Sequence, residues 1–146
     1  MEELVITSSA FKNKGKIPSK YTCDGENVNP PLNIQGIPKG TESLVLIVDD
    51  PDAPMGTWVH WVVWNIPVTE KIGEDSIPGT EGISTSGGHS YSGPCPPSGA
   101  HRYFFKVYAL DKKLDINSSS GKKDVEKAIE NNIIAKGELI GLYSRV

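Results

Sequence analysis

Three long runs of branched and aromatic residues constrain this chain more than any other feature: 43–49 (SLVLIVD), 57–66 (TWVHWVVWNI) and 101–110 (HRYFFKVYAL). They show little of the polar alternation that marks a half-exposed strand. Such runs read as strands buried on both faces. Two shorter runs, 4–7 and 138–143, are further strand candidates. Prolines and glycines break the chain between them: Pro30 and Pro31, Pro51, Pro54, Pro67, Pro78, and the GPCPPSG stretch at 93–99. One amphipathic helix is predicted. Residues 118–121 supply its cap, Val125, Ala128, Ile129 and Ile133 recur at helical spacing, and Gly137 closes it. One helix among many strands implies an all-β sandwich with that helix packed on it. The stretch 70–97, mostly Gly, Ser, Pro and Thr, reads as a long loop, a length that often signals function.

A chain of 146 residues suits one domain spanning 1–146, large enough to bury a core without staples. The formal net charge of −3, with no basic stripe, speaks against nucleic acid as a partner. No apolar stretch reaches the roughly 18 residues of a membrane span. The opening MEELVITSSAFKNKGK has no signal-peptide pattern, so a cytoplasmic location is expected.

Three places concentrate residues with chemistry. Asp49 and Asp50 open DDPDAP at the end of an apolar run, which reads as an ordinary turn or as a paired carboxylate. His60 stands among tryptophans; strand alternation puts Trp58, His60, Val62 and Trp64 on one side. That pattern suits a satisfied core histidine or the wall of an aromatic pocket. His101 and Tyr103 share one face of the third run, with Arg102 on the other, after a stiff Gly/Pro loop in which Gly93 can bring its backbone N–H close to a ligand. Spacing alone does not show that these residues converge.

In order, DPDAP at 50–54, WVHWVVWNIP at 58–67 and GPCPPSGAHRYFFKVYALD at 93–111 resemble the signature of the phosphatidylethanolamine-binding (Raf kinase inhibitor) family. YTCDGENVNPPL at 21–32 and the ending LIGLYSR resemble its short prokaryotic branch. The resemblance implies a two-sheet antiparallel Greek-key β-sandwich with a cavity for phosphate, phosphorylated head groups or acetate. It implies that Asp50, His60, Gly93, Pro94, His101 and Tyr103 form that cavity, with a backbone amide of the Gly-Pro loop meeting the anion. Because Cys95 and Pro96 are inserted relative to the animal loop pattern, either Pro96 or Pro97 is the lining proline.

The expected function is therefore non-enzymatic binding of a small anion, regulatory through a protein partner such as a kinase or serine protease. A dedicated serine protease inhibitor is one alternative. A hydrolase using the His/Asp pocket is another, although no G-x-S-x-G elbow is present. No cofactor is implied. No zinc-type spacing joins His60, His89 and His101, so no metal is expected. His89 reads as a solvated loop residue or a rim contact. A homodimer is expected by resemblance. Cys23 and Cys95 each lie in a block matching the family, and they would form one disulfide if the blocks pack together.

Overall fold

The three apolar runs lie side by side in one sheet; 43–49 is covered on both faces, whereas 101–110 alternates, with Arg102 exposed and Phe104, Lys106 and Tyr108 half-buried. The computed structural model describes residues 2–145. Ten strands appear: β1 (Glu2–Glu3), β2 (Val5–Thr7), β3 (Gly15–Lys16), β4 (Leu32–Gln35), β5 (Ser43–Asp50), β6 (Trp58–Ile66), β7 (Lys71–Ile72), β8 (Thr80–Glu81), β9 (Ala100–Leu110) and β10 (Ile133–Ser144). A single α-helix, α1 (Lys122–Ile129), precedes the last strand. The large sheet runs β1-β10-β9-β5-β6-β8, with β3 also on β10; the small sheet runs β2-β4-β7. Within the large sheet β5, β6 and β8 follow one another, and β9 returns by a long connection to lie beside β5. That order is a Greek key. The long pairings are all antiparallel, whereas the two-residue edges β1 and β3 pair with β10 in parallel.

Strand alternation sorts the core into two layers. Leu44, Leu46 and Val48 of β5, with Phe105 and Val107 of β9, face Ile6, Ile34 and Ile72 of the small sheet. Val45 and Ile47 point the other way, against Val125 and Ile129 of α1 and against Leu114. Every residue of β5 is buried, which is why its sequence shows no polar alternation. Each of its buried Leu, Val and Ile side chains adds on the order of 1.5–3 kcal/mol to folding. Asp49, the charged residue on the helix side, is 1 % exposed and pairs with Lys106 Nζ at 3.0 Å and Lys122 Nζ at 2.9 Å. It ties the start of α1 to the sheet.

The helix is shorter than its apolar spacing predicts. Gly121 caps it, with its N–H donated to the Asp124 carboxylate at 3.0 Å. It ends at Ile129, and Ile133 already pairs with Leu110 of β9. Sheet pairing along all of β9 outweighs the continuation of a marginal helix. Gly137 is therefore not a helix stop. It sits inside β10, where a Cβ would lie 2.1 Å from the Leu4 carbonyl oxygen. The stretch 70–97 is also less open than predicted, since it holds β7, β8 and a bridge from Ile83 to Gly121.

A candidate anion pocket at the ends of the central strands

Asp50 is the last residue of β5, His60 lies early in β6, and His101 and Tyr103 lie early in β9. Antiparallel pairing brings these strand ends to one edge of the sandwich. There they line a cavity of about 300 Å³ together with Met55, Trp58, Pro96 and Pro97. The polar groups are buried: Asp50 is 3 %, His60 6 %, His101 7 % and Tyr103 1 % exposed. The mouth is apolar and open, with Met55 97 % exposed.

A bulge places His60. On β6 the register passes from Trp61, opposite Val48, directly to Val59, opposite Asp49, so His60 is the extra residue. A bulge re-aims the side chain it carries. As a result Trp61 and Val63 join the layer between the sheets, while Val62 and Trp64 face the helix. The expected shared side of Trp58, His60, Val62 and Trp64 is thus split: Trp58 and His60 line the cavity, and Val62 and Trp64 do not. The expected face of His101 and Tyr103 holds; their rings stack at 6.4 Å, and Tyr103 meets His60 edge-on at 5.4 Å.

Hydrogen bonds fix the protons on both imidazoles. His60 Nδ1 is 2.6 Å from the Ser92 carbonyl oxygen, which can only accept. His101 Nδ1 is 2.7 Å from Asp50 Oδ2, again an acceptor when ionised. Both Nδ1 atoms therefore carry hydrogen, and each Nε2 is the remaining functional nitrogen. Among the described residues neither Nε2 nor the Tyr103 hydroxyl has a hydrogen-bond partner, and all three rings line the cavity. Burial pushes the His60 pKa below its ordinary 6.5, against opposing pulls from the Ser92 carbonyl and Asp50. His60 thus presents a neutral Nε2 lone pair near pH 7. Burial, with Asp50 adding to it, pushes the Tyr103 phenol up, so it stays a donor.

Asp50 is spent inside the protein. Its Oδ2 takes the His101 proton and its Oδ1 takes the Asp52 N–H at 2.7 Å. Asp52 accepts from Arg102 through N at 2.9 Å, Nε at 2.9 Å and Nη2 at 2.8 Å. The Arg102 hydrogen bonds hold the Asp52 carboxyl down at about 2. The 50–54 turn is thereby clamped to the strand that carries His101.

Gly93 and Pro94 differ from expectation in part. Gly93 lines the cavity, but its N–H donates to Asn27 Oδ1 at 2.7 Å and is not offered to a ligand. Gly93 is needed for close packing, since a Cβ there would lie 2.1 Å from the Tyr21 carbonyl oxygen. Pro94 is buried behind the wall, and its carbonyl accepts the Cys23 N–H at 3.1 Å; Pro96 and Pro97 both line the cavity instead. His89 is exposed on its loop, outside the cavity lining. Sequence reasoning missed Ser92, which acts through its carbonyl and leaves no side-chain signal, and Asn27, whose role depends on a contact 66 residues away. Cys23 and Cys95 form a disulfide beside the cavity, as their placement suggested. Among the described residues no three His, Cys, Asp or Glu are grouped to hold a metal ion, and no helix is long and apolar enough to cross a membrane.

Comparison with known proteins agrees with this architecture. Residues 7–144 match the family model described as phosphatidylethanolamine-binding protein. The chain is 47 % identical to a UPF0098 protein of Methanothermobacter thermautotrophicus, covering 96 % of this chain and 98 % of the relative. It is 49 % identical to a UPF0098 protein of Pyrococcus abyssi, covering 99 % and 87 %. The crystal structure of a phosphatidylethanolamine-binding protein homolog from Chlamydia trachomatis superposes with a TM-score of 0.95 at 38 % identity, over 100 % of both chains. That of YbcL from E. coli, described as a member of the mammalian family, gives 0.90 at 32 % identity over 99 % of both. With the fold, the ordered sequence blocks and these matches in agreement, the chain belongs to the phosphatidylethanolamine-binding protein family, in its prokaryotic branch.

Proposed function

We propose that this protein is a non-enzymatic receptor for a small oxyanion, a phosphate group carried on a larger molecule. The observation that carries this reading is the pair of imidazoles anchored through Nδ1, each leaving Nε2 unpartnered on a ring that lines one cavity. When His101 carries both ring protons, its Nε2, held in place by the Nδ1 bond to Asp50, donates to one anion oxygen. The Tyr103 hydroxyl donates to another. The neutral His60 Nε2 accepts the acidic proton that a phosphate monoanion still carries. Among the described residues no Lys or Arg lines the cavity, so affinity is modest. Around this polar floor, Met55, Trp58, Pro96 and Pro97 form an apolar collar that suits the body bearing the anion. The same collar is where an anionic side chain of a partner protein would dock. A kinase- or protease-inhibitor role rests on that rim and would be blocked by competing phosphate.

Catalysis has less support. Cys95, the thiol that lines the cavity, is held in the disulfide. Isothermal titration with inorganic phosphate and with acetate, at about pH 6 and about pH 8, tests the binding reading. Acetate keeps its charge across that range, so any change in its affinity reports on groups of the protein and not on the ligand. His101→Ala is expected to lose both ligands. Unchanged binding in that variant would remove the assignment.

A further inference from the structure

The cavity wall is covalently tied at one point. Cys95 lines the cavity, three residues after the Ser92 carbonyl that holds His60. Its partner Cys23 lies in the segment against which this wall packs. Besides the disulfide, Tyr91 donates its hydroxyl to the Tyr21 carbonyl at 2.7 Å, the Gly93 N–H reaches Asn27, and the Cys23 N–H reaches the Pro94 carbonyl. Both cysteines are exposed residues, and the chain has no other cysteine. Exposure opens a disulfide to attack by external thiols.

We propose that the Cys23–Cys95 disulfide is a redox latch on this cavity, so that its reduction by a dithiol frees a Cys95 thiol at the wall and weakens anion binding. The inference rests on the anion-receptor reading above. In the chemistry, a thiolate of the dithiol attacks Cys23 Sγ, the Cys23–Cys95 S–S bond breaks, and Cys95 leaves as a thiolate. The second thiol of the reductant then attacks the mixed disulfide and releases Cys23. The protein gains two electrons and two protons, and the dithiol leaves as its cyclic disulfide. Anion affinity then falls because the Ser92–Pro97 wall loses its covalent anchor. Linkage makes the effect reciprocal, so a bound anion protects the disulfide by the factor that reduction costs in affinity.

The test titrates inorganic phosphate into oxidised protein and into protein reduced with dithiothreitol, at about pH 7. Affinity is expected to fall at least about 5-fold on reduction, the lower end of typical coupling, and to recover on reoxidation. Cys23→Ser should bind as the reduced protein does, with or without reductant. A second measurement does not need a folded variant: the dithiothreitol ratio that half-reduces wild-type protein should rise by the same factor in saturating phosphate. Equal affinities in the two states, with both thiols counted, would overturn the latch and leave the anion site standing. So would a half-reduction ratio indifferent to phosphate. Absence of binding in either state would overturn the anion site and the latch together.

Discussion

His60 shows how a single residue carries both a sequence signal and a structural surprise. Its type and its aromatic neighbours marked it, but the bulge that turns it toward Tyr103 leaves no trace in a local pattern. Its pKa is depressed in the fold, so below 6.5 the unfolded chain binds more protons than the folded one. The stability contributed by neutral His60 is therefore complete above 6.5 and is lost as pH falls through the lower folded value. Denaturant unfolding of wild type should show stability falling between about pH 7 and about pH 5, by at most about 1.4 kcal/mol per pH unit for one proton. His60→Gln keeps a donor for Ser92 and should flatten that slope. Equal slopes in the two proteins would show that His60 is not the titrating group. His101 was equally legible as a candidate, but its Asp50 partner is 51 positions away and only the pairing of β5 with β9 brings them together.

At the scale of elements, the strands were easier to read than the helix. Residues 43–49 were recognisable because burial on both faces demands a continuous apolar run, and 57–66 and 101–110 because branched and aromatic residues fill most of them, although one face of 101–110 stays half-exposed. Ile133 fitted a helical spacing equally well, and the neighbouring strand β9 decided against it. The short strands β3, β4, β7 and β8 carry too few residues to show a period and went unread. Asp49 joins α1 to the sheet through Lys106 and Lys122. Asp49→Asn should cost about 2 kcal/mol in urea unfolding, less than the about 3–5 kcal/mol of a fully buried pair, because both lysines stay partly solvated. Gly93→Ala should force the 91–97 wall away from Tyr21 and remove the Asn27 hydrogen bond. A stability loss of about 1–3 kcal/mol is expected, with weakened phosphate binding by titration although His101 and Tyr103 are untouched.

For the whole molecule, the disulfide joins positions 72 apart and so constrains half the unfolded chain. In the chain-entropy account it adds about 4 kcal/mol. Cys23→Ser, Cys95→Ser should unfold at correspondingly lower guanidinium concentration, and no change in midpoint would show that the unfolded chain is already compact there. By itself the sequence determined the class of fold, the identity of the central strands and the residue types of the cavity. It could do so because burial of apolar runs and the rarity of Asp, His and Tyr beside them are local facts. Only the tertiary structure decided which nitrogen each imidazole presents, that the Gly93 N–H is taken by Asn27, and that Pro96 and Pro97 both line the cavity while Pro94 does not. Those outcomes depend on partners far away in the chain, on one bulge, and on backbone carbonyls that every residue carries alike.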